Sequence, residues 1–357
     1  MITFYILLFL LLLQAIIIPQ KQKRGKLAYL VIAFVELQIV SGLRIPLGGD
    51  SEYYTDVFGH ILGVPLIETL DYGLEKGFMF FIYILSLFSS RPQTLIFFSS
   101  LLVNYLVFRY IYKNSSLPWL SVVLYMTLMF FFNAMNLMRF MIACAILLYS
   151  NKYIINRNLL KFFITIILAS SFHFSGLLYA ILYLLYPIKI SWKNVTIISI
   201  PFILLSIFFL SAFRILIQIN ERYTYYGAQD EFYQSAYANV LEFLICFCVL
   251  LFFLYCKRWK ADKLIGEGKL YFWLIYLAAI FSYLSISAMI VIRFAYIFSL
   301  CYIIVIANLV SEMRNPVRIR WLLVFLTVSI LKMIIILTFR PEWYFGEPYQ
   351  NWLFKQN

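Results

Sequence analysis

The chain has 357 residues, of which 64% are hydrophobic and 13% charged, and its mean hydropathy is +0.89. This composition is too apolar for a water-soluble fold and is typical of a protein that crosses a membrane several times. The formal net charge of +13 does not indicate a nucleic-acid partner, because most Lys and Arg residues lie in short segments between apolar runs, where they set membrane orientation.

Apolar runs of about 15 to 20 residues recur along the chain, and each can form a helix that crosses about 30 Å of hydrocarbon. No linker or polar block of soluble-domain size interrupts them. We therefore predict an all-α, polytopic membrane protein that forms a single domain over residues 1–357. The predicted crossings, about twelve in number, lie near residues 2–19, 27–43, 93–112, 117–133, 136–150, 159–172, 175–188, 194–212, 239–256, 270–287, 290–310 and 320–338.

The first run, residues 2–19, is followed by a basic cluster and has no basic residue before it. This order is the reverse of a secretory signal peptide, so the run is predicted to be the first span, with its N-terminus outside. The remaining loops agree with this orientation: most of the 29 Lys and Arg fall inside, and most of the 16 Asp and Glu fall outside. Both termini are therefore expected on the outer side.

The segment Gly77–Ser90 is apolar but short for a crossing, and counting it as one would invert every later loop. We predict a half-buried, re-entrant or interfacial helix on the outer side. Two long outer loops are also predicted, at residues 41–76 and 213–238. Loops of this length in a compact protein are often functional, and the second is rich in tyrosines and carboxylates suited to sugars.

The sequence lacks the motifs that are typical of several classes of enzyme. The five cysteines lie in apolar runs and are odd in number, so they are expected to be packing residues, not disulfides. The only histidines are His60 and His173, and no H-E-x-x-H, D-x-D, P-loop or G-x-S-x-G pattern is present. We expect no metal and no cofactor. A prenyl diphosphate sugar reached at the outer leaflet fits, because its anionic leaving group can be stabilised by fixed cations.

Polar residues gather at the predicted outer ends of two neighbouring spans in the stretch 131–176. Asn136 and Arg139 begin one apolar run, His173 ends the next, and a basic segment separates them. If both runs cross the bilayer, these three residues lie on the same side. A charge, an amide and an imidazole near one membrane face indicate a functional site.

Three arginines lie at the same predicted depth: Arg44, Arg139 and Arg293. Arginine presents a rigid fork of donors that matches phosphate oxygens and stays charged when partly desolvated. Three of them at one depth would suit a diphosphate. For each arginine alone, the plainer explanation is that it reaches the headgroups or pairs with an acid.

Three residues are candidates for a general base on a sugar hydroxyl. Asp50 follows two glycines and is our first choice, ahead of Glu75 and His173. A carboxylate needs only hydrogen-bond reach and a suitable pKa for this role. The plainer alternatives are a solvated loop acid, an arginine partner and a structural histidine. Asn136, Tyr53 and Tyr296 are predicted to support the site.

Five short motifs follow one another between residues 42 and 298. They are GLR at 42–44 with Asp50 and Tyr53 after it, EKGF at 75–78, N-x-x-R at 136–139, SSFHFSGL at 170–177, and RFAYIF at 293–298. In this order they resemble the motifs of the EpsG-like, Wzy-type polysaccharide polymerases. The chain departs from that family at Phe140, where the family commonly has Gln. Arg139 remains in place, but Phe140 cannot make the hydrogen bond that the glutamine would make.

The resemblance implies an integral-membrane glycosyltransferase with GT-C-like architecture in the bacterial cytoplasmic (inner) membrane. Such an enzyme would transfer a growing glycan from undecaprenyl diphosphate to a hydroxyl of an incoming lipid-linked repeat unit, with inversion and without metal. The product would be O-antigen, capsule or exopolysaccharide. Expected partners are the undecaprenyl-diphosphate-linked oligosaccharide as donor and acceptor, membrane lipid, and a chain-length regulator and flippase of the same pathway.

Three alternatives share parts of this pattern. A flippase for lipid-linked sugars would also place cations in a membrane cavity, but they should be distributed through the helix interiors. An O-antigen ligase shares the donor chemistry and differs in motif order. A membrane acyltransferase would need an acyl donor supplied from the cytoplasm, and no histidine lies in a predicted inside loop.

Overall fold

The computed structural model describes residues 2–46, 48–204, 236–287, 289–339 and 349–354. These residues form helices joined by short connections, and the one extended pairing among them is an isolated bridge between Arg44 and Asn351. The predicted all-α class is confirmed. The helices are α1 (Ile2–Ile17), α2 (Lys23–Gly42), α3 (Gly49–His60), α4 (Leu66–Leu70), α5 (Lys76–Ser86), α6 (Gln93–Asn114), α7 (Pro118–Thr127), α8 (Phe130–Asn136), α9 (Met138–Leu148), α10 (Asn151–Ile155), α11 (Leu159–Phe172), α12 (Ile181–Leu185), α13 (Trp192–Leu204), α14 (Ala236–Cys256), α15 (Gly266–Leu284), α16 (Ile292–Ser299), α17 (Tyr302–Ser311) and α18 (Asn315–Phe339).

Within the described ranges, 5 segments are long and apolar enough to cross a membrane, and the number rises to 7 if two bent helix pairs each count as one span. The chain is thus a multi-pass membrane protein by length and composition. The five segments are α2, α6, Met138–Ile155, Asn239–Cys256 and α18. Several other predicted crossings are shorter helices, namely α1, α11, Phe174–Leu185 and α13. The part of the predicted span 194–212 that follows residue 204 lies outside the described residues.

Two predicted crossings are broken. In the span predicted at 117–133, α7 and α8 meet at an angle of 54°, and in the span predicted at 290–310, α16 and α17 meet at 41°. The first break lies at Met129, whose φ of 74° is a left-handed conformation that a side chain rarely adopts. Neither break contains Gly or Pro, so hydrophobic patterning alone could not locate them. Because of the first break, a separate helix, α8, begins at Phe130 and ends at Asn136.

The chain divides into two compact units. The first unit comprises Met1–Tyr149, Ile164–Leu177 and Ile303–Asn357, and α6 in it contacts both α2 and α9. The second comprises Ser150–Phe163 and Leu178–Tyr302, in which α15 contacts α14 and α16.

The region predicted as the outer loop 41–76 is largely helical, because it contains α3 and α4. One face of α3 carries Tyr54, Val57 and Phe58, and Ile61 follows the helix directly. These buried side chains form a core with the buried face of α5. Their spacing of three or four residues is that of an amphipathic helix. The segment Gly77–Ser90 contains α5, an 11-residue helix with one buried face, and its re-entrant or interfacial position stays a prediction. Nearly all of the other predicted loop, 213–238, lies outside the described residues.

Candidate active site

Arg139 lies in the first turn of α9 and forms an ion pair with Glu75, the residue that precedes α5. Its Nη1 donates a hydrogen bond to Glu75 Oε2. The Arg139 side chain is 17% exposed and that of Glu75 is 20% exposed. The pair is therefore partly desolvated, which strengthens it, yet it can still be reached from outside the protein.

Tyr54 holds the same guanidinium from α3. Arg139 Nε donates to Tyr54 Oη at 2.8 Å, and Arg139 Cζ lies 5.3 Å from the centre of the Tyr54 ring. Tyr54 is only 3% exposed, so its position is determined by core packing. The neighbouring Tyr53, predicted to support the site, is 50% exposed and touches the edge of the Tyr54 ring at 5.8 Å. The helical spacing of Tyr54 with Val57, Phe58 and Ile61 is the signal that could have identified it.

Glu75 also joins α5 to the end of α11. Its Oε1 accepts a hydrogen bond of 3.0 Å from the backbone N–H of Phe174, the first residue of the 3-10 helix Phe174–Ala180. Gly77 makes this approach possible, because a Cβ there would lie 2.2 Å from Ser171 Oγ and 2.7 Å from the Ser171 carbonyl oxygen. The motifs EKGF and SSFHFSGL, far apart in sequence, therefore meet at one place.

His173 lies between α11 and the 3-10 helix. Its Nδ1 is 2.7 Å from Ser175 Oγ and accepts a hydrogen bond of 3.3 Å from the Ser175 N–H. In the neutral ring the proton is therefore assigned to Nε2. The ring of Phe140 packs edge-on against the imidazole, with ring centres 5.2 Å apart, so Phe140 supports His173 by aromatic packing.

His173 and Asp50 act electrostatically on the pair of Glu75 and Arg139. Burial raises the pKa of the Glu75 carboxyl, but the Arg139 charge, the Phe174 N–H and the influence of His173 together outweigh it, so the pKa lies below its usual value. Glu75 is consequently an anion at neutral pH. Asp50, half-buried in the first turn of α3, also acts electrostatically on Arg139. The structure thus brings together Asp50, Glu75, Arg139 and His173, which the sequence had singled out.

Arg44 has a different environment. It is 0% exposed, its Nη1 donates to the Ser41 carbonyl and, at 3.1 Å, to Ser100 Oγ, and its Nη2 donates to the Met135 carbonyl. Burial lowers the pKa of this guanidinium to about 9. Arg44 therefore ties α2 and α6 to the residue immediately before Asn136.

The C-terminal segment pairs with the backbone around Arg44. Ile45 N–H donates to the Gln350 carbonyl at 3.1 Å, and Trp352 N–H donates to the Leu43 carbonyl at 2.7 Å. These bonds flank the bridge between Arg44 and Asn351. The end of the chain therefore fixes the connection between α2 and α3, the helix that carries Asp50 and Tyr54.

The remaining predicted site residues are Asn136, Arg293 and Tyr296. Asn136 is the half-buried last residue of α8 in the first unit. Arg293 and Tyr296 belong to the second unit, where both are half-buried and lie three residues apart on α16, a spacing that puts them on one helix face. Across the described part of the chain, no group of three or more His, Cys, Asp or Glu side chains could hold a metal ion.

The fold and the cluster define the class of protein: an all-helical, multi-pass membrane protein with a partly exposed arginine held by a tyrosine and a carboxylate. The sequence matches the EpsG family over residues 27–351, and the chain belongs to that family. The predicted resemblance is thereby confirmed. No curated protein and no solved structure matches the chain. Membership of the EpsG family indicates a polysaccharide polymerase of glycosyltransferase type that uses lipid-linked saccharides.

Proposed function

We propose that this protein polymerises undecaprenyl-diphosphate-linked oligosaccharide units at the outer face of the bacterial cytoplasmic membrane. The growing glycan is transferred from its lipid diphosphate to a hydroxyl of the incoming unit. The observation that carries the proposal is the partly exposed Arg139 fork, held by Tyr54 beside Glu75 in a chain of the EpsG family. A fixed guanidinium of this kind suits the negative charge that develops on a departing diphosphate.

In the proposed reaction the acceptor hydroxyl oxygen forms a bond with the anomeric carbon. The bond from that carbon to the diphosphate oxygen breaks, and its electron pair stays on the diphosphate, where Arg139 stabilises it. A base takes the hydroxyl proton; Asp50 is our first candidate, followed by Glu75 and His173. The displacement inverts the anomeric centre, so base and diphosphate lie on opposite sides of the sugar. No metal takes part in this scheme.

The other candidate residues have supporting parts in the proposal. Arg293 provides a second cation for the diphosphate, and Tyr296 on the same helix face contacts the substrate beside it. Arg44 acts through the backbone, since it holds the Met135 carbonyl before Asn136. Asn136 and the exposed Tyr53 offer hydrogen bonds to sugar hydroxyls.

The proposal includes a topology and a setting. The chain crosses the membrane about twelve times as a single domain with GT-C-like architecture, and both termini and the active site face outward. The product is O-antigen, capsule or exopolysaccharide, and a flippase and a chain-length regulator work in the same pathway. The distribution of Lys and Arg in alternate loops supports this orientation.

The test is reconstitution of the purified protein in liposomes with a lipid-linked repeat unit, in the presence of a divalent-metal chelator. We expect a ladder of polymer from the wild type and from Arg91→Ala, which removes an exposed arginine that stacks on Trp352. We expect none from Arg139→Ala. Movement of the lipid-linked unit without chain growth would instead indicate a flippase, and transfer only to a lipid A acceptor would indicate a ligase. Loss of the ladder on chelation would refute the metal-free scheme.

A further inference from the structure

The proposed diphosphate ligand already holds an internal anion. Arg139 Nη1 is hydrogen-bonded to Glu75 Oε2, and both side chains are partly exposed. We propose that the Glu75 carboxylate occupies the place of the substrate diphosphate on Arg139 and exchanges with it when substrate binds. This inference rests on the proposed function and adds a step of substrate selection to the same site.

The geometry confines this exchange to one edge of the guanidinium. Tyr54 accepts the Nε hydrogen bond, and its ring lies against the guanidinium carbon at 5.3 Å. Because Tyr54 is packed in the core formed by α3 and α5, this contact is independent of Glu75. The arginine therefore keeps its position while the Nη1 partner changes from carboxylate to phosphate.

Glu75 is retained in the site after it leaves Arg139. Its second oxygen accepts the Phe174 N–H at 3.0 Å, in a place that Gly77 allows by its close approach to Ser171. The carboxylate cannot simply move into bulk water without losing this bond. A released carboxylate would then lie beside a diphosphate, and the two anions would repel each other.

Protonation of Glu75 removes this repulsion. The groups that act on its carboxyl are Arg139 from α9, the Phe174 N–H and His173 from the end of α11. Tyr54 and Asp50 from α3 act on Arg139, and Lys76 follows Glu75 in the chain. In the free protein Arg139 keeps Glu75 ionised. In the complex Arg139 pairs with the diphosphate and Glu75 takes up a proton, which leaves Asp50 and His173 as the candidate bases. Diphosphate affinity therefore increases as pH falls.

The exchange gives the site a way to reject common lipids. The membrane surface is rich in phosphodiester headgroups, each with a single negative charge, and a bare arginine would bind them. A ligand must bind Arg139 better than Glu75 does before it can enter. A diphosphate, with more charge and more acceptor oxygens, meets this condition, whereas a single phosphodiester does not.

The test compares the wild type with Glu75→Gln, whose amide oxygen can still accept the Phe174 N–H. The control is Glu68→Gln, which removes an exposed carboxylate on α4. Binding of farnesyl diphosphate to detergent-purified protein is measured by calorimetry. We expect Glu75→Gln to bind about tenfold more tightly, Glu68→Gln to match the wild type, and Arg139→Ala to lose binding. Glu75→Gln should also gain affinity for phosphatidylglycerol.

The affinity for farnesyl diphosphate is measured at several pH values between about pH 6 and about pH 8. The ligand itself also titrates in this range, but it does so equally with both proteins, so the difference between the two slopes reports on Glu75. Affinity of the wild type should fall more steeply with rising pH than that of Glu75→Gln. Equal slopes would overturn the proton uptake. If Glu75→Gln fails to purify as a folded protein, Glu75→Ala, which also lacks a titratable side chain, takes its place.

If a folded Glu75 variant binds diphosphate no more tightly than the wild type, the proposed exchange is wrong. The ion pair between Arg139 and Glu75 would then be purely structural. This failure is separate from failure of the proposed function. If the wild type makes polymer in liposomes but the Glu75 variants bind diphosphate no better, polymerase function stands and the exchange falls. If the wild type makes no polymer from the lipid-linked unit, the proposed function itself fails.

Discussion

Arg44 and Arg139 each belong to one of the short sequence motifs, GLR and N-x-x-R, but their surroundings are opposite. Arg44 is fully buried, and neutral oxygens of Ser41, Ser100 and Met135 accept its hydrogen bonds. Arg139 is partly exposed and its Nη1 is bonded to a carboxylate. A cation that is buried among neutral oxygens stabilises the fold, whereas a partly exposed cation paired with a carboxylate is, in our proposal, suited to bind substrate. The contrast teaches that arginines at one depth need not share one role.

Loss of Arg139 should have the largest effect on activity. Arg139→Ala is expected to reduce polymer formation by at least about 100-fold, the scale for removal of a donor that stabilises developing charge. Arg139→Lys should be almost as poor, because lysine keeps the charge but not the fork. Initial rates in liposomes and protein levels on a gel are the measurements. Normal rates from Arg139→Lys would show that charge alone suffices.

Loss of Arg44 should instead reduce the amount of folded protein. Arg44→Ala removes the donor to the Met135 carbonyl, at a cost of about 1–3 kcal/mol, while the Ser41 carbonyl keeps the hydrogen bond from Ser100 Oγ. Size-exclusion chromatography after a heat challenge should show a lower melting temperature than for wild type. A variant that is stable but inactive would contradict the contrast between the two arginines, because it would assign Arg44 a direct part in the reaction.

Tyr54→Phe extends the comparison of the two arginines, because it removes one hydrogen bond that positions Arg139 and keeps the arginine itself. The ring and its core packing remain, but the acceptor of the Nε hydrogen bond is lost. We expect kcat/KM to fall by about tenfold, the order of one charge-assisted hydrogen bond, with little change in melting temperature. Tyr72→Phe is the matched control, since Tyr72 is exposed and has no part in the proposed site, and it should retain activity. Equal losses from both variants would refute the assignment of Tyr54.

The smallest effect on activity is expected for Gly77→Ala. The new Cβ would overlap Ser171, so α5 must shift, at a cost of about 1–3 kcal/mol in unfolding free energy. Because Glu75 lies two residues earlier, part of the activity should also be lost. Gly59→Ala on α3, where a Cβ would meet nothing within 4 Å, is the control. If both alanine variants have the same melting temperature, the close approach of α5 to Ser171 is not important.

Several site residues were identifiable from sequence because their chemistry is rare in apolar runs. Arg139, Glu75 and His173 could be singled out as ionisable residues near apolar segments. Tyr54 was missed because residues 41–76 were interpreted as a loop, so the helical spacing of its apolar face was not applied. The breaks near Met129 and between α16 and α17 could not be predicted either, since no Gly or Pro accompanies them.

Composition and motif order, taken by themselves, determined that this protein is helical, membrane-embedded and of the EpsG family. These properties follow from local quantities: the length of apolar runs and the identity of a few residues. The tertiary structure decided which residues meet, namely that Glu75 binds Arg139 and Phe174 and that Arg44 is enclosed. Such contacts join segments up to 99 residues apart, and they depend on close approaches such as that of Gly77 to Ser171, which no local pattern encodes.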